Sequence, residues 1–226
     1  DTFANRMPDP VLQQVEHFNN PGITQNDGFK PVVRYFDRII RPEQIISSLQ
    51  QAIQIMLDPA DCGPACISLS QDVQGEIYDY PEEFFKERVH TIRRPRPDDF
   101  QIKEAAELIK KSKKPIIIAG GGVFYSDATD ELSDFAKKHN IPVTQTVMGY
   151  SSIKKDHTHY LGTIGGLGGR AANNLSKETD TAIAIGTKLA DFTTGSWANF
   201  ENPNFKLVSI NAARFDAIKH MAQAIV

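Results

Sequence analysis

A run of four apolar residues, Ile116-Ile117-Ile118-Ala119, ends in three consecutive glycines, Gly120-Gly121-Gly122. A run this short and this apolar predicts a strand that is buried on both faces, as strands of parallel sheets are when helices cover both sides. A helical pattern precedes the run, because Ile102, Ala105 and Ile109 recur at helical spacing. The order of helix, buried strand and glycine turn restricts this part of the chain to an α/β fold.

The same alternation continues to the end of the chain. Further strands are predicted over 142–146, 182–185 and 207–210, with helices over 131–138 and after Gly169. Strands that are separated by helices imply right-handed crossovers between parallel neighbours. We therefore expect 98–226 to form a Rossmann-like domain with an open, mostly parallel sheet flanked by helices.

The first part of the chain has its own, shorter alternation. A strand is predicted over 31–40, an amphipathic helix over 45–57 and a buried strand over 65–69. Residues 1–80 are therefore expected to form part of a second α/β domain. The stretch 81–97 has three prolines and no sustained periodicity, which is typical of a linker between domains.

Charge and composition exclude several classes of protein. The formal net charge is −3 and no block of like charge occurs, so neither nucleic acid nor an anionic membrane surface is an expected partner. No apolar run approaches the ~18 residues of a membrane span, and the two cysteines cannot form a disulfide framework. We expect a cytoplasmic protein. Because the sequence begins with Asp1 instead of Met and ends at Val226 directly after an apolar stretch, we expect it to be a piece of a longer chain.

Candidate binding residues follow three of the predicted strands. Gly120, Gly121 and Gly122 come after the first, Lys188 after the second and Asn211 after the third. Ligands of open α/β sheets bind at this carboxyl edge, where glycines let a phosphate approach, a lysine supplies charge and an amide bonds a ribose. The alternative is a tight strand-to-helix turn that needs glycine, and the absence of GxGxxG disfavours an NAD-dependent oxidoreductase.

A second glycine-rich stretch, 162–170, has five glycines and ends at Arg170, directly before a predicted helix. The free N–H groups at the start of that helix could receive an anion. The alternative is a flexible surface loop.

The remaining reactive residues form no recognisable site. Cys62 and Cys66 have no histidine pair beside them, so packing is favoured over zinc binding. His157 and His159 lack further ligands and are expected to be exposed. No metal site and no self-contained catalytic set is predicted from the residues.

Four segments resemble thiamine-diphosphate-dependent enzymes of the acetolactate-synthase and pyruvate-oxidase type. The family writes them as GPVxxxxPxDV, xRPVIxxGGGV, GxRxxDxxTG and a strand followed by IDIDP. The corresponding segments are GPACISLSQDVQGE (63–76), KKPIIIAGGGV (113–123), AIGTKLADFTTGSW (184–197) and KLVSINAARF (206–215).

The resemblance implies a domain plan and a cofactor. Residues 1–80 would be the C-terminal part of a pyrimidine-binding domain, and 98–226 the central domain. The full-length enzyme would use thiamine diphosphate and Mg²⁺ and form a homo-oligomer. Its activating glutamate would lie before this sequence and its GDG…NN motif after it, so the fragment is expected to contain no catalytic residue and to be inactive alone.

The resemblance also assigns individual positions. Gln13 would lie on the substrate side of the active-site mouth, although a solvated helix residue is the alternative. Central domains of relatives bind FAD, ADP or nothing. Lys188 stands where the family has Arg, and Asn211 where it has the first Asp of IDIDP, whereas Asp191 and Thr194 match. A nucleotide-binding module of another member is thus a second interpretation.

Two longer stretches, 3–18 and 34–65, resemble one branch of this family more closely. That branch hydrolyses a carbon–carbon bond in a cyclic dione during inositol catabolism. The resemblance therefore implies a small-molecule substrate of that class for the full-length enzyme.

Overall fold

The computed structural model describes residues 1–7 and 19–226. These residues form two compact units, Asp1–Arg93 and Arg94–Val226. Within the described residues, no helix combines the length and the apolar character that crossing a membrane requires.

The first unit contains two parallel strands, β1 (Tyr35–Ile39) and β2 (Ala65–Leu69), connected by helix α1 (Gln44–Leu57). The helix begins two residues after Pro42, which suits a first turn, and buries Ser48 and Ala52. Short 3₁₀ helices occupy Gln25–Phe29, Val73–Gly75 and Glu82–Phe85.

Strand β1 is shorter than the predicted 31–40. The N–H groups of Val32 and Val33 both donate to the carbonyl of Phe29, so the chain turns there before the strand begins. Val32 is accordingly exposed. The β-branched residues at 32 and 33 therefore form a turn despite their preference for strands.

The second unit contains a six-stranded sheet in which every strand pair is parallel, in the order β5-β4-β3-β6-β7-β8. Its elements are α2 (Asp99–Lys111), β3 (Pro115–Ala119), α3 (Gly121–Tyr125), α4 (Thr129–His139), β4 (Val143–Gln145), β5 (Tyr160–Thr163), α5 (Arg170–Glu178), β6 (Thr181–Ile185), α6 (Asp191–Thr194), β7 (Lys206–Ile210), α7 (Arg214–Ile218) and β8 (Gln223–Ile225). The predicted open, parallel α/β sheet is confirmed.

Helices cover both faces of the sheet, and the central strand β3 presents apolar side chains to each face. Ile117 packs with side chains of α2 and α4 in one core, whereas Ile116 and Ile118 pack with α5 in the other. All three isoleucines are fully buried. Since each such side chain contributes about 1.5–3 kcal/mol on burial, the central strand holds the two helical layers to the sheet.

Two helix ends show how the sequence sets the boundaries. Asp98 caps α2 by accepting a 2.8 Å hydrogen bond from the N–H of Gln101. Helix α4 ends at His139, and the next residue, Asn140, has a φ of 54° in the left-handed region that Asn tolerates.

Candidate functional site

The carboxyl ends of β3 and β6 lie side by side in the middle of the sheet, where the strand order reverses. In open α/β sheets this reversal leaves a crevice for a ligand. Gly120, which was predicted from the sequence, follows β3 at this point, and Gly186 follows β6.

The crevice is closed by backbone contacts between these glycines. The N–H of Gly120 donates to the carbonyl of Ile185 at 2.8 Å, and that of Gly122 donates to the carbonyl of Gly186 at 2.9 Å. A Cβ on Gly120 would lie 2.2 Å from the Gly186 oxygen. These positions need glycine because two loops touch, which agrees with the tight-turn interpretation.

Asn211 belongs to the same network. Its side-chain N–H donates to the carbonyl of Thr187 at 3.1 Å, and its Oδ1 accepts from the N–H of Ala213 at 3.0 Å. Lys188, one residue after Thr187, is exposed. The structure therefore brings the glycines and Asn211 together around Gly186 and Thr187, while Lys188 faces solvent; nucleotide binding by these residues stays a prediction.

The surface above this edge is apolar. Exposed side chains follow three neighbouring strands: Phe124 and Tyr125 after β3, Met148 after β4 and Phe192 after β6. Met148 is 83% exposed and Tyr125 78%. Lys188 is exposed at the same edge, so this edge offers both apolar and charged groups to solvent.

In the glycine-rich loop before α5, backbone N–H groups donate hydrogen bonds to other groups of the protein. The side chain of Asn173 accepts from the N–H of Gly165 at 2.9 Å and donates to its carbonyl at 3.0 Å. Gly166 donates to the carbonyl of Phe192 at 2.7 Å, and Gly169 to that of Thr163 at 2.8 Å. The loop is thus fastened to α5 and α6, and these four backbone groups are not directed at a ligand.

The positions that match the family pattern GxRxxDxxTG build a turn. The hydroxyl of Ser196 donates to Asp191 Oδ1 at 2.8 Å, and the N–H of Trp197 donates to Thr194 Oγ1 at 3.3 Å. Gly195 supplies the left-handed conformation between them, with φ of 58°. These side chains fix the backbone between α6 and Trp197.

A charged cluster in the first unit was not predicted from the sequence. Arg38 Nε donates a hydrogen bond to Asp1 Oδ2 at 2.6 Å. Arg38 Nη2 donates to Asp27 Oδ2 at 2.5 Å and to Thr24 Oγ1 at 2.9 Å. Burial acts to raise the pKa of Asp27, but hydrogen bonds from Lys30, the Thr24 N–H and Arg38 outweigh it, so this pKa lies far below its usual range. Asp27 is therefore ionised at neutral pH.

The other candidate residues form no cluster. Among the residues with described positions, no group of three or more His, Cys, Asp or Glu is arranged to hold a metal ion. Cys62 and Cys66 are free thiols. His159 Nε2 lies 2.8 Å from Asn140 Oδ1. Gln13 falls in 8–18, outside the described residues.

The family model described as thiamine pyrophosphate enzyme, central domain, matches residues 102–226.

Curated relatives match the chain along its length. The protein named 3D-(3,5/4)-trihydroxycyclohexane-1,2-dione hydrolase from Clostridium perfringens strain 13 is 50% identical over 100% of this chain and 35% of its own length. The protein of the same name from Bacillus subtilis strain 168 is 49% identical over 100% of this chain and 36% of its own length. The protein of this name from Clostridium botulinum strain Eklund 17B is 52% identical over 97% of this chain and 34% of its own length. The chain thus spans about a third of these relatives.

Among solved structures, a thiamin diphosphate-dependent enzyme isolated from Mycobacterium smegmatis is similar with a TM-score of 0.61. It is 21% identical, and the match covers 80% of this chain and 34% of that one. At this identity the likeness concerns the fold.

Proposed function

This chain belongs to the thiamine pyrophosphate enzymes through their central domain, and we propose that it is part of a hydrolase acting on 3D-trihydroxycyclohexane-1,2-dione. The observation that carries the proposal is 50% identity to relatives of that name across all 226 residues, including the unit that precedes the central domain. The proposed reaction cleaves the carbon–carbon bond between the two carbonyls with water, which opens the ring to 5-deoxyglucuronate in inositol catabolism.

We assign 1–80 to the C-terminal part of a pyrimidine-binding domain, 81–97 to a linker and 98–226 to the central domain. The parallel strand-helix-strand arrangement of β1, α1 and β2 supports the first assignment, since it is a βαβ unit, as expected for part of an α/β domain. The family match to 102–226 supports the last.

The residues that the structure describes, 1–7 and 19–226, do not fit thiamine diphosphate or its metal ion. The backbone N–H groups of Gly120 and Gly122 donate to protein carbonyls, and the described part of the chain offers no cluster of acidic or metal-binding side chains. We therefore propose that thiamine diphosphate and Mg²⁺ bind to other parts of the full-length enzyme. This chain would then supply a scaffold and no catalytic residue.

The remaining properties follow from the family and the composition. We propose a homo-oligomer with the cyclic dione as its small-molecule substrate, without nucleic acid or membrane partners. We also propose a cytoplasmic location, since two cysteines give no disulfide framework of the kind that secreted domains use.

The test is an assay of the full-length protein that contains this sequence, with thiamine diphosphate and Mg²⁺. We expect consumption of the dione and formation of 5-deoxyglucuronate, with no acetolactate formed from pyruvate. Acetolactate formation without dione turnover would instead support the second interpretation, an enzyme of the acetolactate-synthase type. The 226-residue chain alone, under the same conditions, should turn over neither substrate.

A further inference from the structure

A small cavity lies at the carboxyl end of β4, the strand next to β3. Gln145 is the last residue of β4 and is the register partner of Ala119. The cavity has a volume of about 200 Å³ and is lined by Gln145, Tyr150, Ser151, Ile153, Lys154 and Lys155. This volume lies below the ~300–1,000 Å³ of most ligand pockets, so the cavity suits a small molecule. The proposed hydrolase reaction gives it no role.

Gln145 has unused hydrogen-bonding groups in this cavity. Only 3% of the residue is exposed, yet its side-chain amide makes no hydrogen bond within the part of the chain that the structure describes. The preceding residue, Thr144, is also buried, but its hydroxyl donates to the carbonyl of Ile117 at 3.1 Å. Buried polar groups are nearly always paired. The Gln145 amide still reaches solvent through the cavity, so a bound molecule can supply the partner that the protein does not.

The rim of the cavity supplies hydroxyl groups and positive charge. Tyr150, Ser151, Lys154 and Lys155 are all exposed there. Lys155 Nζ lies 4.9 Å from the centroid of the Tyr150 ring, and this cation–π contact keeps the ammonium group at the rim. Neither lysine forms an ion pair with any residue whose position is described, and no acidic side chain lines the cavity. The rim therefore favours an anion.

We propose that this cavity binds a small polyhydroxylated carboxylate, such as a sugar acid. The Gln145 amide both donates and accepts hydrogen bonds, as do the hydroxyls of Ser151 and Tyr150, and this combination matches the hydroxyl groups of the ligand. The carboxylate lies against Lys154 and Lys155. A neutral polyol would leave both ammonium groups without a counter-charge, whereas a simple anion without hydroxyls would leave the buried amide unpaired.

Three probes test the proposal by calorimetry on the full-length protein that contains this sequence. D-glucuronate has both hydroxyls and a carboxylate, myo-inositol has only hydroxyls, and acetate has only a carboxylate. We expect D-glucuronate to bind saturably and at least about tenfold more tightly than either of the other two, a difference of about 1.4 kcal/mol.

Variants locate the binding at this cavity. Gln145→Leu replaces the amide by an apolar side chain of similar size. Because the amide has no partner in the protein, this variant should keep the unfolding temperature of the parent but bind D-glucuronate about tenfold more weakly or worse. The double variant Lys154→Gln/Lys155→Gln, at exposed positions, should reduce D-glucuronate binding to the level of myo-inositol. Lys138→Gln, at an exposed position on α4, is the matched control and should bind as the parent does.

Any of three results overturns the proposal. One is the absence of both heat and a shift in unfolding temperature with D-glucuronate up to about 5 mM, a concentration that reveals even millimolar binding. Another is equal affinity for D-glucuronate and either of the other probes, because the charge or the hydroxyls would then contribute nothing. The third is an unchanged D-glucuronate affinity in both variants of the cavity, because the ligand would then bind elsewhere in the full-length protein. Every readout is binding, so the test holds whether or not the protein turns over the dione.

Discussion

Gly122 and Gly186 are in direct backbone contact: a Cβ built on Gly122 would lie 2.5 Å from Gly186 Cα, and the Gly122 N–H donates to the Gly186 carbonyl at 2.9 Å. The contact joins the loops that follow β3 and β6. No flexible side chain separates the two loops, so neither can yield without moving backbone.

Gly122→Ala should therefore destabilise the second unit by about 1–3 kcal/mol, the usual cost of overpacking. Urea unfolding followed by the fluorescence of Trp197 measures this loss. Gly169→Ala is the control, since no heavy atom lies within 4 Å of its added Cβ, and it should change stability by less than about 0.5 kcal/mol. Equal stability of the two variants would contradict the close contact.

Asn173→Ala should loosen the glycine-rich loop, because it leaves the N–H of Gly165 without its partner and leaves the Gly165 carbonyl with only the Gly168 N–H. We expect a loss of about 1–3 kcal/mol and faster hydrogen exchange over 163–169. The neighbouring Asn174 is exposed, so Asn174→Ala should stay within about 0.5 kcal/mol of the parent protein. Unchanged exchange in Asn173→Ala would show that the loop does not depend on this side chain.

Arg38→Gln should destabilise the first unit by about 3–5 kcal/mol, because the buried Asp1 carboxylate loses its ion-pair partner and Asp27 keeps only Lys30 of its two cationic partners. Hydrogen exchange of the β1 and β2 amides, measured by mass spectrometry, reports this unit directly. Arg41→Gln removes only an exposed pair with Glu43 at 3.7 Å and should cost less than about 0.5 kcal/mol. Similar protection in both variants would refute a structural role for Arg38.

Asp180 should make stability depend on pH in the acid range. Burial acts to raise its pKa, but hydrogen bonds from Ser112, Lys113 and Lys114 outweigh it and hold the pKa below the usual 3.8. A carboxyl group whose pKa is lower in the folded state stabilises the fold fully at pH values above its unfolded-state pKa. This stabilisation is lost as the pH falls from the unfolded-state pKa through the folded-state pKa.

Asp180→Asn should therefore be less stable than the parent at pH 7, by about 1–3 kcal/mol, and should lose less stability between about pH 5 and 2.5. Urea unfolding at several pH values checks both points. Asp156→Asn, at an exposed position, should follow the parent throughout. Parallel pH profiles for Asp180→Asn and the parent would contradict this expectation.

The interior strands could be predicted from the sequence, and the edge strands could not. β3 and β6 each start one residue before the predicted runs 116–119 and 182–185, because short apolar runs beside proline or glycine fit only a buried strand. β5 and β8 lie at the two edges of the sheet. Each has only one neighbouring strand, so burial does not impose a distinctive pattern on its three or four residues.

The residues of the candidate site were predictable, but their contacts were not. The sequence places Gly120 and Gly186 after strands, yet nothing in it indicates that β3 and β6 are neighbours, so their closure on each other emerges only in the fold. The Arg38 cluster is hidden for a similar reason, since Asp1 and Asp27 approach Arg38 from segments with no shared periodicity.

The pairing of β3 with β6 also bears on synthesis of the protein. Pro115 and Thr181 are partners although 66 positions separate them, so the middle of the sheet has no shorter way to close. Chains emerge from the ribosome at about 5–20 residues per second. The β6 side of strand β3 therefore stays unpaired for several seconds of synthesis, whereas its β4 side has a partner much closer in the chain.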